Sequence, residues 1–446
     1  MYKYIIEDSR HVVPFNEPAS LLTVGTLPLK IHQENLFAEM FPRDLELRPT
    51  LHSRADLLEV KGQAIVYRDN LWFDKDFLSY FMEKARKTGR ACRAAFDDKD
   101  VAFKTYALPM STCFEPGKDR SGNAIHMADL WYFPEGYTDD VMPIVVPSDA
   151  PEKGIGFYNV PDFMTQEQDR LTHFPPMRAL ISIESWVHVY FAAIICGNFA
   201  RAARLDKNID GSFALNLQLL WHAVLQQKQL LSIAHPRVIK IGKNTNIHPT
   251  AIITGPAEIG DNCSIEAGAV IDNCTIGDNV TIDTGCILKM STVASGCFLP
   301  FRASLYLTQV MENTIIAQNT CLQMCVVGRN SFVGAGSTFT DFNLIGKKPI
   351  RAVDIDGKIR EVGQIVLGGA VGHNCRIGAG MIVFPGRMIE SDVVLFASPQ
   401  RRVIRDTVEF EESDHLYVRG GPEVHKRFYP RADEKLEEQD AAADTW

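Results

Sequence analysis

Three short stretches of this chain hold side chains that could do chemistry. In Val371-Gly-His-Asn-Cys375 an imidazole stands among small residues. Histidine titrates near neutral pH, so His373 is suited to take a proton as a general base. The alternative is a histidine that helps to shape a turn. In Tyr67-Arg-Asp-Asn-Leu-Trp-Phe73 an aspartate and an asparagine follow an apolar run. Asp69 could bind a ligand there, or it could cap a helix or form a turn. Gly346 to Gly363 carries Lys347, Lys348, Arg351, Lys358 and Arg360 around an Asp356-Gly357 pair. That pair, flanked by alternating residues, predicts a hairpin. Its cations would either contact phosphates or dress a solvated surface.

The elements that position these residues come from a repeat. A bulky aliphatic residue recurs every six positions at Ile241, Ile247, Ile253, Ile259, Ile265 and Ile271. Five-residue steps lead to Ile276, Ile282 and Leu288, and then to Val293, Leu299 and Leu305. The register lapses near Met311 and returns at Ile316, Leu322, Val327, Val333, Phe339 and Ile345. After the cationic interruption it resumes at Ile365, Val371, Ile377, Val383, Ile389 and Leu395. This period suits neither an isolated helix nor an ordinary strand. It predicts a parallel coil with three flat faces, stacked about seven turns high, each turn buried only against its neighbours. Gly and Asn supply the corners, where φ is positive. His373 is third in its hexad and should point outward. Cys263, Cys286, Cys297 and Cys375 take the small fifth position, so they read as reduced structural cysteines.

Upstream, residues 1–175 read as mixed α/β. Tyr2–Ile6, Ala64–Tyr67 and Ala91–Phe96 are candidate strands, with a helix over Asp76–Thr88. That order predicts an open parallel sheet whose ligands sit beyond the strand ends, which is where Asp69 falls. Residues 176–235 are helical in pattern, with a stripe of Leu217, Leu220, Trp221, Val224 and Leu231. On such helices His188 and His222 should be hydrogen-bonded core residues. Residues 236–405 form the coil, and 406–446 a C-terminal extension with an acidic tail.

The net charge of -9 over 446 residues argues against a nucleic-acid binder. The longest apolar stretch, near Val187–Cys196, is shorter than the ~20 residues that cross a bilayer. The first residues lack a signal-peptide core. A soluble, cytoplasmic protein without a membrane partner is expected.

The repeat resembles the hexapeptide-repeat transferases, whose left-handed parallel β-helices commonly trimerise and transfer acyl groups. A second resemblance lies in Arg10, Pro14, Pro18-Ala19, Leu21-Leu-Thr-Val-Gly25 and Pro28-Leu29, followed by Tyr67–Phe73. This order is similar to the two-domain sugar nucleotidyltransferases of the GlcNAc-1-phosphate uridylyltransferase type. The resemblance implies a nucleotidyltransferase-like (Rossmann-like) α/β domain, a helical connector and a left-handed β-helix. It further implies Mg²⁺ on Asp69, catalytic roles for Arg10 and His373, and substrate contacts from Asn70, Lys30, Lys347, Lys348 and Arg351. The donor for acyl transfer would be acetyl-CoA or another acyl-CoA. The hairpin would cap a site on a neighbouring copy, and the assembly would be a homotrimer. The sequence departs from the pattern where the Gly-rich phosphate loop is Glu7-Asp8-Ser9 and the Lys of the Pro-Lys pair is Ala19. Arg10, Lys30 or Arg68 could supply the missing charge, and Asp162 is the candidate for a second metal ligand that the resemblance implies.

Two functions are therefore expected to compete. One is a transferase of nucleotide-sugar metabolism, acting on a sugar phosphate or nucleotide. The other is a non-catalytic trimeric sensor or scaffold that binds the same ligands.

Overall fold

The computed structural model describes residues 1–42, 45–154, 172–343 and 349–434. The repeat folds as a left-handed β-helix of three parallel sheets with eight strands each, so eight coils stack where about seven were expected. On one face the inward residues Ile247, Ile265, Ile282 and Leu299 align in register. Ile316, Val333, Ile377 and Leu395 continue the column. Burying each such side chain stabilises the stack by roughly 1.5–3 kcal/mol. Asn262, Asn279, Asn313, Asn330 and Asn374 turn the corners with positive φ. Coils approach so closely that a Cβ on Gly260 would sit 2.6 Å from the Gly277 carbonyl carbon.

The fifth positions behave as read. Cys263, Cys286, Cys297 and Cys375 are free and buried. Cys297 Sγ donates to the Met311 carbonyl at 3.1 Å and Cys375 Sγ to that of Glu390 at 3.0 Å. Thr314 and Ser331 do the same with hydroxyls at equivalent places. The register differs in two places. The lapse near Met311 is another five-residue step, because Val310 takes the inward place between Val293 and Val327. The repeat resumes at Val371, which pairs with Val327, whereas Ile365 is still in the linker.

The first domain holds a mixed sheet rather than an all-parallel one. We label its strands β1 (Tyr2–Ile6), β2 (Glu46–Leu47), β3 (Ala64–Arg68), β4 (Cys92–Asp97), β5 (Glu115–Lys118), β6 (Ala124–Phe133) and β7 (Met142–Val145). The order is β7-β4-β6-β3-β1-β2, with β5 on β6. β1 and β3 run parallel, but β6 enters antiparallel between β3 and β4. The expected strands and helix are present; the antiparallel insertion is a non-local pairing that a local pattern does not display. Helix α1 (Leu29–Met40) and helix α2 (Lys75–Thr88) flank the sheet. Asp74 caps α2 by accepting from the Phe77 N–H at 2.7 Å, and Gly89 ends it in the left-handed region. Leu180–Ser182 pairs antiparallel with Leu71–Phe73, so the chain is still strand-paired to this domain beyond residue 175.

A helical run then crosses to the β-helix: α3 (Trp186–Tyr190), a wider turn over Phe191–Phe199, and α4 (Ala200–Gly211). It lies on one face of the coil. Arg201 donates to Thr275 Oγ1 at 2.9 Å, and Asn198 to Thr292 Oγ1 at 3.1 Å. Met290, Leu307, Met324, Val326, Ala370 and Met388 of the coil share one apolar cluster with Trp186, Tyr190 and Ile194. The other faces carry apolar residues outward. Phe298, Ile315 and Phe332 form an exposed ladder in register. Among the described residues no helix is long and apolar enough to cross a membrane.

Candidate active site

β1 and β3 end side by side at Ile6 and Arg68, and the residues that follow converge. Asp69 Oδ1 accepts the Asp8 N–H at 2.8 Å. Asn70 Nδ2 donates to Asp8 Oδ2 at 3.0 Å and to Ser182 Oγ at 3.1 Å. Arg10 grips the same Asp8 carboxylate, Nε to Oδ1 at 2.9 Å and Nη2 to Oδ2 at 2.6 Å. Its Nη1 reaches Thr112 Oγ1 at 3.0 Å and Glu184 Oε2 at 3.5 Å. The structure thus brings together Arg10, Asp69 and Asn70, as expected of a site at the carboxyl ends of strands.

Charge is unevenly settled in this group. Burial pushes the Asp69 carboxyl up to about 6, and repulsion from Asp8 and Glu7 adds to it. Glu184 is buried, which would raise its carboxyl, yet His188, Ser111, Thr112 and Arg10 hold it below the usual range. Burial raises the Cys113 thiol. Arg10 is held charged by its hydrogen bonds to Asp8. Asn70 is buried with its Oδ1 lacking a hydrogen-bond partner.

Several members of the group were not read from the sequence. Ser182 and Glu184 arrive through the non-local pairing of Leu180–Ser182, and the polar run Ser182-Ile-Glu-Ser185 inside an apolar segment was their signal. Asp129, fully buried in β6, collects Arg54, Arg68 and Arg93 at 2.7–2.9 Å. Arg68 is therefore committed to Asp129. Lys30 is exposed on the first turn of α1. Ala19 is buried in the apolar cluster. His188 is the hydrogen-bonded core residue expected, held by the Pro109 carbonyl and the Glu184 N–H.

His373 departs from its expected setting. It leaves the coil wall but meets the first domain instead of solvent, and it is fully buried. The Arg329 N–H donates to Nδ1 at 2.9 Å, which puts the ring proton on Nε2, 3.0 Å from Glu17 Oε1. Phe15 and Tyr429 pack on the ring. Burial lowers its pKa while Glu17 pulls it up. A base needs access to the proton it removes, and this imidazole is spent on joining two domains.

The cationic segment is a hairpin, Arg351–Val353 against Ile359–Glu361. It folds onto its own chain, with Ile350, Ala352 and Val362 buried in the cluster that holds Trp186. Arg351 is exposed, and Arg360 pairs with Asp354. Lys347, Lys348 and Asp162 lie outside the described residues.

Asp69 suits one ligand of a hard cation, but Asp8 beside it is occupied by Arg10 and Asn70. Among the described residues no three His, Cys, Asp or Glu side chains gather to hold a metal. If Mg²⁺ binds here, Asp69 is the carboxylate that would hold it, with phosphates and water completing its shell.

A family model matches the first coils. Residues 239–273 match the bacterial transferase hexapeptide (six repeats) family. The bifunctional protein GlmU of Geotalea uraniireducens (strain Rf4) is 53% identical over 38 residues, which is 8% of this chain and 8% of that protein's length. LpxA from Acinetobacter baumannii is 17% identical, with a TM-score of 0.24 over 36% of this chain and 60% of that one. UDP-N-acetylglucosamine acyltransferase from Campylobacter jejuni is 17% identical, with a TM-score of 0.22 over 32% of this chain and 62% of that one. In each of these three the match spans less than two thirds of the relative's own length.

Proposed function

We propose that the chain is a transferase of sugar metabolism that moves a nucleotidyl or acyl group, with its sugar phosphate or nucleotide bound at the strand ends around Asp69. One observation carries this reading. A half-buried carboxyl with a pKa near 6 stands just past the end of β3, beside a second carboxylate, where open α/β sheets take their ligands. A carboxyl so raised can exchange a proton near neutral pH or bind a sugar hydroxyl. The hexapeptide-repeat match and the short GlmU match support the class. Acyl transfer from acetyl-CoA or another acyl-CoA would need a base other than His373. Three copies would assemble through the exposed ladder Phe298, Ile315 and Phe332.

The test is a thermal-shift titration with UTP, dTTP and UDP-sugars, each with and without Mg²⁺. Ligand at a hundred times its Kd adds about 2.7 kcal/mol. The shift should shrink in Asp69→Asn. No shift with any of these ligands at millimolar concentration would remove the site.

A second reading is favoured by Asp8. Its carboxylate lies between Arg10 and Asn70, groups that a bound phosphate would otherwise use, so the chain supplies its own anion. A ligand-binding scaffold without turnover fits that arrangement. Binding without product formation would choose it.

A further inference from the structure

We infer that helix α5 (Phe213–Gln226) is a self-association surface, and that it packs against α5 of a second copy of this chain. The helix is fixed by one side only. Leu215 and Leu219 are buried with Ile233, Val238 and Ile239, closing the open first coil of the β-helix. Ser212 caps the helix by accepting from the Leu215 N–H at 3.2 Å. The opposite side holds Phe213, Leu217, Leu220, Trp221, Val224 and Leu225, each between 53% and 84% exposed. The stripe read from the sequence is therefore an outer face, and His222 is half-buried rather than part of a core.

Spacing and charge select the occupant. Phe213, Leu217, Leu220 and Val224 follow each other at intervals of 4, 3 and 4, the seam of a helix pair. From Phe213 to Gln226 the helix has no Asp, Glu, Lys or Arg, so two copies meet without like-charge repulsion. A helix lying on a membrane would carry Lys or Arg along its polar side. Here that side offers Asn216, Gln218, His222 and Gln226.

Area points the same way. The six exposed side chains present on the order of 700 Å² of apolar surface, close to the ~800 Å² that one partner contributes to a standard interface. The largest patch on an ordinary monomer is ~300–600 Å². The seam lies at the first coil, whereas the Phe298–Phe332 ladder lies further along, so the two surfaces can act independently.

Sedimentation equilibrium of the full chain tests this against the double variant Leu217→Glu/Trp221→Glu. Both side chains are exposed, so the melting temperature should hold while the mass falls by at least half. Leu220→Cys should be linked to its own copy by a short bismaleimide, because the middle of the seam faces itself in either helix orientation. Lys243→Cys, exposed elsewhere on the first coil, should not be linked. Unchanged mass in the double variant, or no Leu220→Cys cross-link, would overturn the inference. So would flotation with phosphatidylcholine–phosphatidylglycerol vesicles that the double variant loses while its mass stays the same.

Discussion

His373 Nε2 lies 3.0 Å from Glu17 Oε1, a contact that bridges 356 residues of chain and ties the first domain to the late coils of the β-helix. Arg329 completes the joint, with Nη1 on Glu17 Oε2 at 3.0 Å and Nη2 on the Leu21 carbonyl at 2.8 Å.

An outward histidine would be expected to leave stability unchanged when removed. The observed joint predicts the reverse. His373→Ala removes one of the two partners of the Glu17 carboxylate, leaving Arg329 as the other, and takes the acceptor from the Arg329 N–H. It should cost about 2–4 kcal/mol in urea unfolding. A change below about 0.5 kcal/mol would show that the joint is not formed.

Buried histidines give the fold an acid limit. His173 is lowered to about 4 by burial, against 6.5 when free, and His373 is lowered by the same cause. The unfolded chain binds these protons first, so their contribution is full above pH 6.5 and is lost as the pH falls towards 4. Melting temperatures of His173→Gln should show a shallower fall across that window than the natural chain.

Asp69 has the opposite sign. Its folded pKa of about 6 lies above its ordinary 3.8, so the charged carboxyl opposes folding above pH 6 and the penalty fades towards pH 4. Asp69→Asn keeps an oxygen for the Asp8 N–H. It should raise the melting temperature at pH 7–8 and leave it unchanged at pH 4. A lower melting temperature at pH 7 would show that the hydrogen bonds on the carboxylate outweigh the cost of burying its charge.

The exposed ladder predicts assembly. Ile315→Lys places a charge between Phe298 and Phe332 and should reduce the mass seen in light scattering without changing circular dichroism. Equal mass for both proteins would exclude this face as a contact.

Solenoid logic alone predicts that a fragment lacking residues 1–235 folds by itself. The structure changes that expectation. The fragment would expose Met290, Leu307, Met324, Val326, Ala370 and Met388, which the first domain and its helices cover. It should bind a hydrophobic dye and associate without a defined stoichiometry.

By itself the sequence determined what depends on neighbours in the chain. A six-residue period is a local rule repeated, so the coil, its Asn corners and its buried cysteines were legible, down to five-residue steps such as the one that ends at Ile276. The strands at Tyr2–Ile6 and Ala64–Arg68, and Asp69 beyond the second, were legible for the same reason. Only the tertiary structure decided what each side chain meets. Whether His373 faces water or Glu17 depends on a loop 356 residues away. Whether the Leu217–Val224 stripe is core or surface depends on which side of α5 closes the first coil. Arg68 is spent on Asp129 because β6 enters the sheet antiparallel beside β3. Periodicity fixes the direction in which a side chain leaves the backbone, but burial and charge are set by the distant surface that packs there.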